Sequence, residues 1–158
     1  GRPLRPNVLV ERPSKNDAIS RYDWGDGIDR KLIQQDGTIW TVQDKVLTFN
    51  RITTVTIETM KPSGSPGFWH YGTAQLYTVV YVGENSNQPR NWIILNLPLV
   101  RQSSDIAWSE EKTNSQGGKF KFAEFKAFPP ETVIACKYSQ SELFYNPMAI
   151  EPTRRAAA

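Results

Sequence analysis

The sequence predicts a mainly β domain, an antiparallel β-sandwich or a jelly-roll-like barrel with little helix. Three observations point there. Segments rich in Val, Ile, Thr and aromatic residues recur along the chain. Clusters of Gly, Pro, Asn, Asp and Ser separate them, as turns separate strands. No long stretch carries the apolar period of a helix.

Residues 1–20 hold Pro3, Pro6 and Pro13 with Arg2, Arg5, Arg12 and Lys15. They read as an extended basic arm with at most a short strand at Val8–Val10. Residues 21–146 form one β domain and 147–158 a tail, whose closing Arg-Arg-Ala-Ala-Ala reads as vector-derived. Asp23, Asp26, Asp29 and Asp36 with Gly25, Gly27 and Gly37 mark turns around a short helix near Ile28–Gln35. Asp36-Gly37 turns into a strand at Thr38–Val42. From Lys45 to Met60, Leu47, Phe49, Val55 and Ile57 share one parity and Thr and Asn residues the other. This period of two predicts a half-buried strand with a bend near Asn50-Arg51.

Pro62–Gly67 is a loop. A strand runs from Trp69 to Val82, and another from Trp92 to Val100. Residues 101–118 are a long polar connection. Lys119–Phe128 returns to strand character, with Phe120 and Phe122 on one register and Phe125 on the other. A bulge near Ala123 would reconcile them. Pro129-Pro130 ends that strand, Thr132–Tyr138 is the next, and Ser141–Tyr145 is ambiguous.

The 158 residues suffice for one core without staples. A content of 39% hydrophobic and 22% charged residues excludes disorder. No apolar run approaches the roughly 20 residues of a membrane-spanning helix. One cysteine, Cys136, forms no internal disulfide, which favours a reducing compartment such as the cytoplasm. A net charge of +3 and a pI near 9.0 permit a polyanionic partner without demanding one.

Catalytic chemistry finds little support. His70 is the sole histidine and lies in an aromatic run, so any triad would need it. One His and one Cys do not make a structural zinc site. No phosphate-binding glycine loop occurs. Asp23, Asp26 and Asp29 are the best cation ligands, yet their spacing suits turn-capping better. Glu58, Glu84, Glu124 and Glu131 could supply a carboxylate pair, and no spacing singles out two of them. The expectation is a non-enzymatic chain without metal or small-molecule cofactor.

The aromatic and basic residues carry the binding expectation. Trp24, Trp69, Tyr71 and Trp92 lie near loop–strand edges and would form an exposed aromatic platform. Arg2, Arg5, Arg12, Lys15, Lys119 and Lys121 would contact nucleic-acid phosphates. Lys119 and Lys121 should share one strand face and Phe120 and Phe122 the other. The bland alternative is an edge strand guarded by lysines.

The stretch His70-Tyr71-Gly72-Thr73-Ala74-Gln75-Leu76, then Trp92-Ile93-Ile94-Leu95, then Lys119-Phe120-Lys121-Phe122 running to Phe128-Pro129 resembles 30K-type plant virus movement proteins and, more broadly, viral single jelly-roll proteins. Asn96 stands where that pattern places an aspartate. The resemblance implies a viral structural or movement-type protein, in the host cell or virion, that self-associates. It also implies single-stranded nucleic acid or a membrane surface as a partner. The competing expectation is a β-sandwich module that recognises carbohydrate or a protein through its aromatics.

Overall fold

The computed structural model describes residues 9–11, 28–48, 53–83, 89–138, 144–145 and 153–154. They form a mainly β fold of two sheets. The large sheet runs in the order β1 (Leu9–Glu11), β2 (Arg30–Ile33), β3 (Thr38–Leu47), β5 (Leu76–Val82), β6 (Pro89–Asn96), β9 (Val133–Lys137) and β10 (Phe144–Tyr145). β11 (Thr153–Arg154) also pairs with β3. The small sheet runs β4 (Thr54–Met60), β8 (Lys119–Glu124) and β7 (Lys112–Thr113).

Described pairings are antiparallel except β3 with β5, which run parallel from Val42↔Leu76 to Leu47↔Tyr81. Parallel neighbours require a crossover. Here it is made by β4 and the short helix α1 (Phe68–Tyr71), which take the chain into the small sheet and back. The expected single strand from Lys45 to Met60 is therefore two strands in two sheets. Alternation survives in β4, where Val55 and Ile57 are buried, because that strand buries only one face. The expected bend at Asn50-Arg51 lies outside the described residues.

Other departures have local causes. Residues near Ile28–Gln35 form β2, not a helix; Leu32 and Ile33 are buried against the neighbouring strand. The β2–β3 turn is the expected Asp36-Gly37. Gly37 takes φ 85°, and the Asp36 carboxylate accepts the Thr38 N–H at 2.9 Å. The strand expected from Trp69 starts only at Leu76, because Phe68–Tyr71 coils into α1. The strand expected to Val100 stops at Asn96, where α2 (Leu97–Gln102) begins. The Asn96 side chain accepts the Leu99 N–H at 3.1 Å, and Pro98 sits in the first turn, where its missing N–H costs nothing. Asn96→Ala should cost roughly 0.5–2 kcal/mol, read as a shift in the urea midpoint at unchanged slope. No bulge at Ala123 is needed. Strand β8 ends at Glu124 and a 3-10 turn over Phe125–Ala127 follows, so Ala123 and Phe125 both reach the core.

One core joins the sheets. Val55 and Ile57 of β4 and Ala123 of β8 cluster with Tyr77, Val79 and Tyr81 of β5 and Ile93 and Leu95 of β6. On the opposite face of the large sheet, Leu32, Val42, Leu76 and Ile134 form a second cluster, with Trp40 and Ile94 against it. Strand β5 is thus covered on both faces, which is why Leu76–Val82 reads as an almost continuous apolar run.

Two tyrosines fasten the sheets. β4 is an edge strand. Thr53 accepts from the Phe125 amide at 2.7 Å, so Val55 and Ile57 bond to β8, while Thr54 and Thr56, ahead of the register shift at Glu58/Met60, face the free edge. The Tyr77 hydroxyl donates to the Thr56 carbonyl and the Tyr81 hydroxyl to the Thr54 carbonyl, both at 2.6 Å. The large sheet thereby occupies carbonyls that could otherwise template another strand.

Candidate aromatic and basic binding surface

The surface is built on α1. Gly67 precedes it, and its amide donates to the Thr59 carbonyl, seating the helix against β4. Phe68 points inward onto Tyr77, ring centroids 5.2 Å apart. Trp69 and Tyr71 are half-buried at the border of the core, and His70 is exposed.

Arg101 of α2 holds this turn. Its guanidinium donates to the Trp69 carbonyl at 3.2 Å and to the Phe68 carbonyl at 3.5 Å, and lies 5.2 Å from the Trp69 ring centroid. The Phe68 carbonyl already accepts the Gly72 amide at 2.7 Å, so the guanidinium adds a second donor there and supplies one to the Trp69 carbonyl, and a cation beside the last turn is stabilising. Partial burial pulls the Arg101 pKa below its usual value, and the group keeps its charge throughout the physiological range. Trp69 meets Trp108 edge-on at 5.7 Å, and Trp108 meets Phe128 at 5.6 Å. Lys61 stands 4.9 Å from the Tyr71 ring centroid, at the start of the Pro62–Gly67 turn.

A basic edge adjoins this cluster. Met60, beside Lys61, pairs with Lys119, and Lys112 is exposed opposite Phe120. Lys119 lies 3.8 Å from Glu111, whose other oxygen accepts the Thr59 hydroxyl at 2.8 Å. Two cation–aromatic pairs and a lysine edge thus gather at one end of the small sheet. Such groups can stack on flat rings and neutralise phosphates.

The structure divides the residues expected to bind. Trp69 and Tyr71 come together on α1. Trp92 does not join them: it alternates with buried Ile93 on β6 and faces outward from the large sheet, level with Val80 and Lys137. Trp24, Arg2, Arg5, Arg12 and Lys15 lie outside the described residues. Lys119 and Lys121 do share a strand parity, opposite to Phe120 and Phe122. Yet Lys121 pairs with Ile57, so the lysines take the core-facing parity and the half-buried phenylalanines the outer one. The core is filled instead by Ala123 and Phe125, further along the chain.

The acidic candidates fall only partly within the described residues. Asp29 accepts the amide of Asp44 on β3 at 2.7 Å, a contact between segments and not a cap of its own turn, and Asp23 and Asp26 lie outside the described residues. Glu124 accepts from Thr53, Glu131 sits in an exposed turn, and Glu84 is outside the described residues. Sequence reading missed Lys61 and Arg101, which reach the aromatics from other elements. Trp108, an isolated aromatic in a polar connection, was the one available signal. Among the described residues no helix is long and apolar enough to cross a membrane. No family model, no curated protein and no solved structure matches this chain.

Proposed function

We propose that this chain is a non-enzymatic β-sandwich protein of viral structural or movement type that self-associates and contacts single-stranded nucleic acid. The observation that carries the nucleic-acid reading is the pairing of Lys61 with Tyr71 and of Arg101 with Trp69 on one short helix, beside Lys112 and Lys119. Aromatic faces accept any base by stacking, and nearby cations track the backbone. The sandwich reading draws on the core shared by the two sheets. The jelly-roll and viral readings draw on the sequence resemblance. Self-association draws on the row Val46, Val80 and Trp92 across three neighbouring strands, where Val46 is 62% exposed.

The test is fluorescence anisotropy with a labelled oligo-dT across a salt series. If Lys61, Lys112 and Lys119 each neutralise a phosphate, log K should fall against log salt with a slope near −2. Lys61→Ala should flatten that slope by about 0.7. Tyr71→Ala should weaken binding by about 1–3 kcal/mol at any salt concentration. Salt-insensitive binding to a neutral glycan, with no oligonucleotide binding, would instead establish the recognition-module reading through Trp69 and Tyr71.

A further inference from the structure

Ser65-Pro66 is the only place in the chain where a Ser or Thr precedes a proline. It lies in the turn that joins β4 to α1, where Pro62 to Pro66 are all exposed. The Lys61 amide donates to the Ser65 carbonyl at 2.8 Å, and the Gly64 amide donates to the Lys61 carbonyl at 2.9 Å. Gly64 makes the reversal in the left-handed region, at φ 91°. Met60 is bridged to Pro66 antiparallel, so Lys61 stands opposite Ser65. Residues opposite each other in such a pair project to the same side, with Cβ atoms about 5 Å apart. From there the Lys61 side chain reaches the Tyr71 ring, 4.9 Å from its centroid. The Ser65 hydroxyl therefore leaves the turn beside Lys61, and its oxygen lies 2.6 Å from that of Ser63.

Two features suit this hydroxyl to a kinase. A proline after the acceptor brings no N–H, so a cleft that offers no carbonyl at that position takes it without leaving a donor unpaired. The peptide must also be drawn out to enter such a cleft. Only short-range backbone bonds close this turn, and Pro62 to Pro66 place no side chain in the core, so opening it costs little of the fold.

We propose that Ser65 is a phosphorylation site for a proline-directed protein kinase, and that phosphate there releases nucleic acid from the neighbouring surface. The release rests on the proposed contact with single-stranded nucleic acid; the modification does not. In the transfer, Ser65 Oγ bonds to the γ-phosphorus of ATP and the bond from that phosphorus to the bridging oxygen breaks. ADP leaves, and the hydroxyl proton passes to the base of the kinase. The product carries about −1.5 to −2 charge at pH 7, next to the Lys61 ammonium. Phosphoserine then competes with backbone phosphates for Lys61 and repels them from the edge that holds Lys112 and Lys119.

The folded full-length chain is incubated with a recombinant cyclin-dependent kinase and Mg-ATP, and phosphopeptides are mapped by mass. One phosphate should enter, on Ser65. Ser65→Ala should abolish it, and so should Pro66→Ala, which keeps the hydroxyl. In the phosphorylated chain, a pH titration by phosphorus NMR should place the second phosphate pKa below its usual value of about 6, because the adjacent ammonium favours the dianion. Lys61→Ala should restore it. In oligo-dT anisotropy, phosphorylation should weaken binding at low salt and flatten the salt slope by about 0.7, the share of one lost phosphate contact. No phosphate on Ser65, equal phosphate on Ser63 and Ser115, a phosphate pKa indifferent to Lys61→Ala, or oligo-dT affinity unchanged by full phosphorylation would overturn the proposal. An unmodified chain that fails to bind oligo-dT would refute the nucleic-acid reading and the release with it. Mapping and the NMR titration use no nucleic acid and judge the modification site alone.

Discussion

Tyr77→Phe is expected to destabilise the fold by roughly 1–3 kcal/mol, more than the loss of an average hydrogen bond. The Tyr77 ring is fully buried and remains in place in the variant. What disappears is the 2.6 Å bond to the Thr56 carbonyl, on the free edge of β4. That part-buried carbonyl faces the large sheet, so removing the hydroxyl takes away its partner there. Tyr81→Phe should cost less, because the Thr54 hydroxyl lies 3.4 Å from the Tyr81 oxygen and is a second polar neighbour at that position. Burial, with smaller effects from Tyr81, Asp29 and Glu58, pushes the Tyr77 pKa far above its ordinary value. The sign follows from linkage. Above about pH 10 the unfolded tyrosine ionises while the folded one stays neutral, so stability contributed below that pH is lost as pH rises. Tyr77→Phe should remove this alkaline decline. Urea titrations at pH 7 and pH 10.5 measure both effects.

Gly67→Ala is expected to cost about 1–3 kcal/mol by overpacking. The backbone at Gly67 is ordinary, with φ −75°, so strain in the dihedral is not the cause. A Cβ there would run into the Glu58 carbonyl oxygen, a backbone atom that cannot swing aside. Either α1 or β4 must move. Because α1 carries Trp69 and Tyr71, the same variant should also weaken oligonucleotide binding. Gly64 is the control. It takes φ 91° in the same turn and has open space around it, so Gly64→Ala meets only the left-handed backbone penalty of roughly 1–2 kcal/mol and leaves α1 seated. Thermal unfolding and oligo-dT anisotropy on both variants separate the two mechanisms.

The β character was legible because alternation and turn residues are local signals. Asp36-Gly37, the buried Val55 and Ile57, and the strand at Val133–Lys137 follow from residues a few positions apart. What was illegible depends on distant partners. A parallel pairing of β3 with β5 leaves no mark in either strand. The helical turn at Phe68–Tyr71 overrides β-favouring aromatics because Gly67 can approach Glu58 and because Arg101 takes up its carbonyls. Asn96 looked like the middle of a strand, yet its side chain starts a helix. Of the four aromatics expected to act together, Trp69 and Tyr71 lie on one short helix because they are near neighbours in sequence. The cations that accompany them come from residues 61 and 101 and meet them only in the fold.

The most direct test of the binding surface is photo-crosslinking of the full-length chain to single-stranded DNA carrying 5-iododeoxyuridine, with adducts located by mass spectrometry. Crosslinks on Trp69, Tyr71 or Trp108 that fade as salt is raised are the predicted result. Crosslinks confined to Trp92 on the opposite face of the large sheet, or none at low salt, would contradict the account.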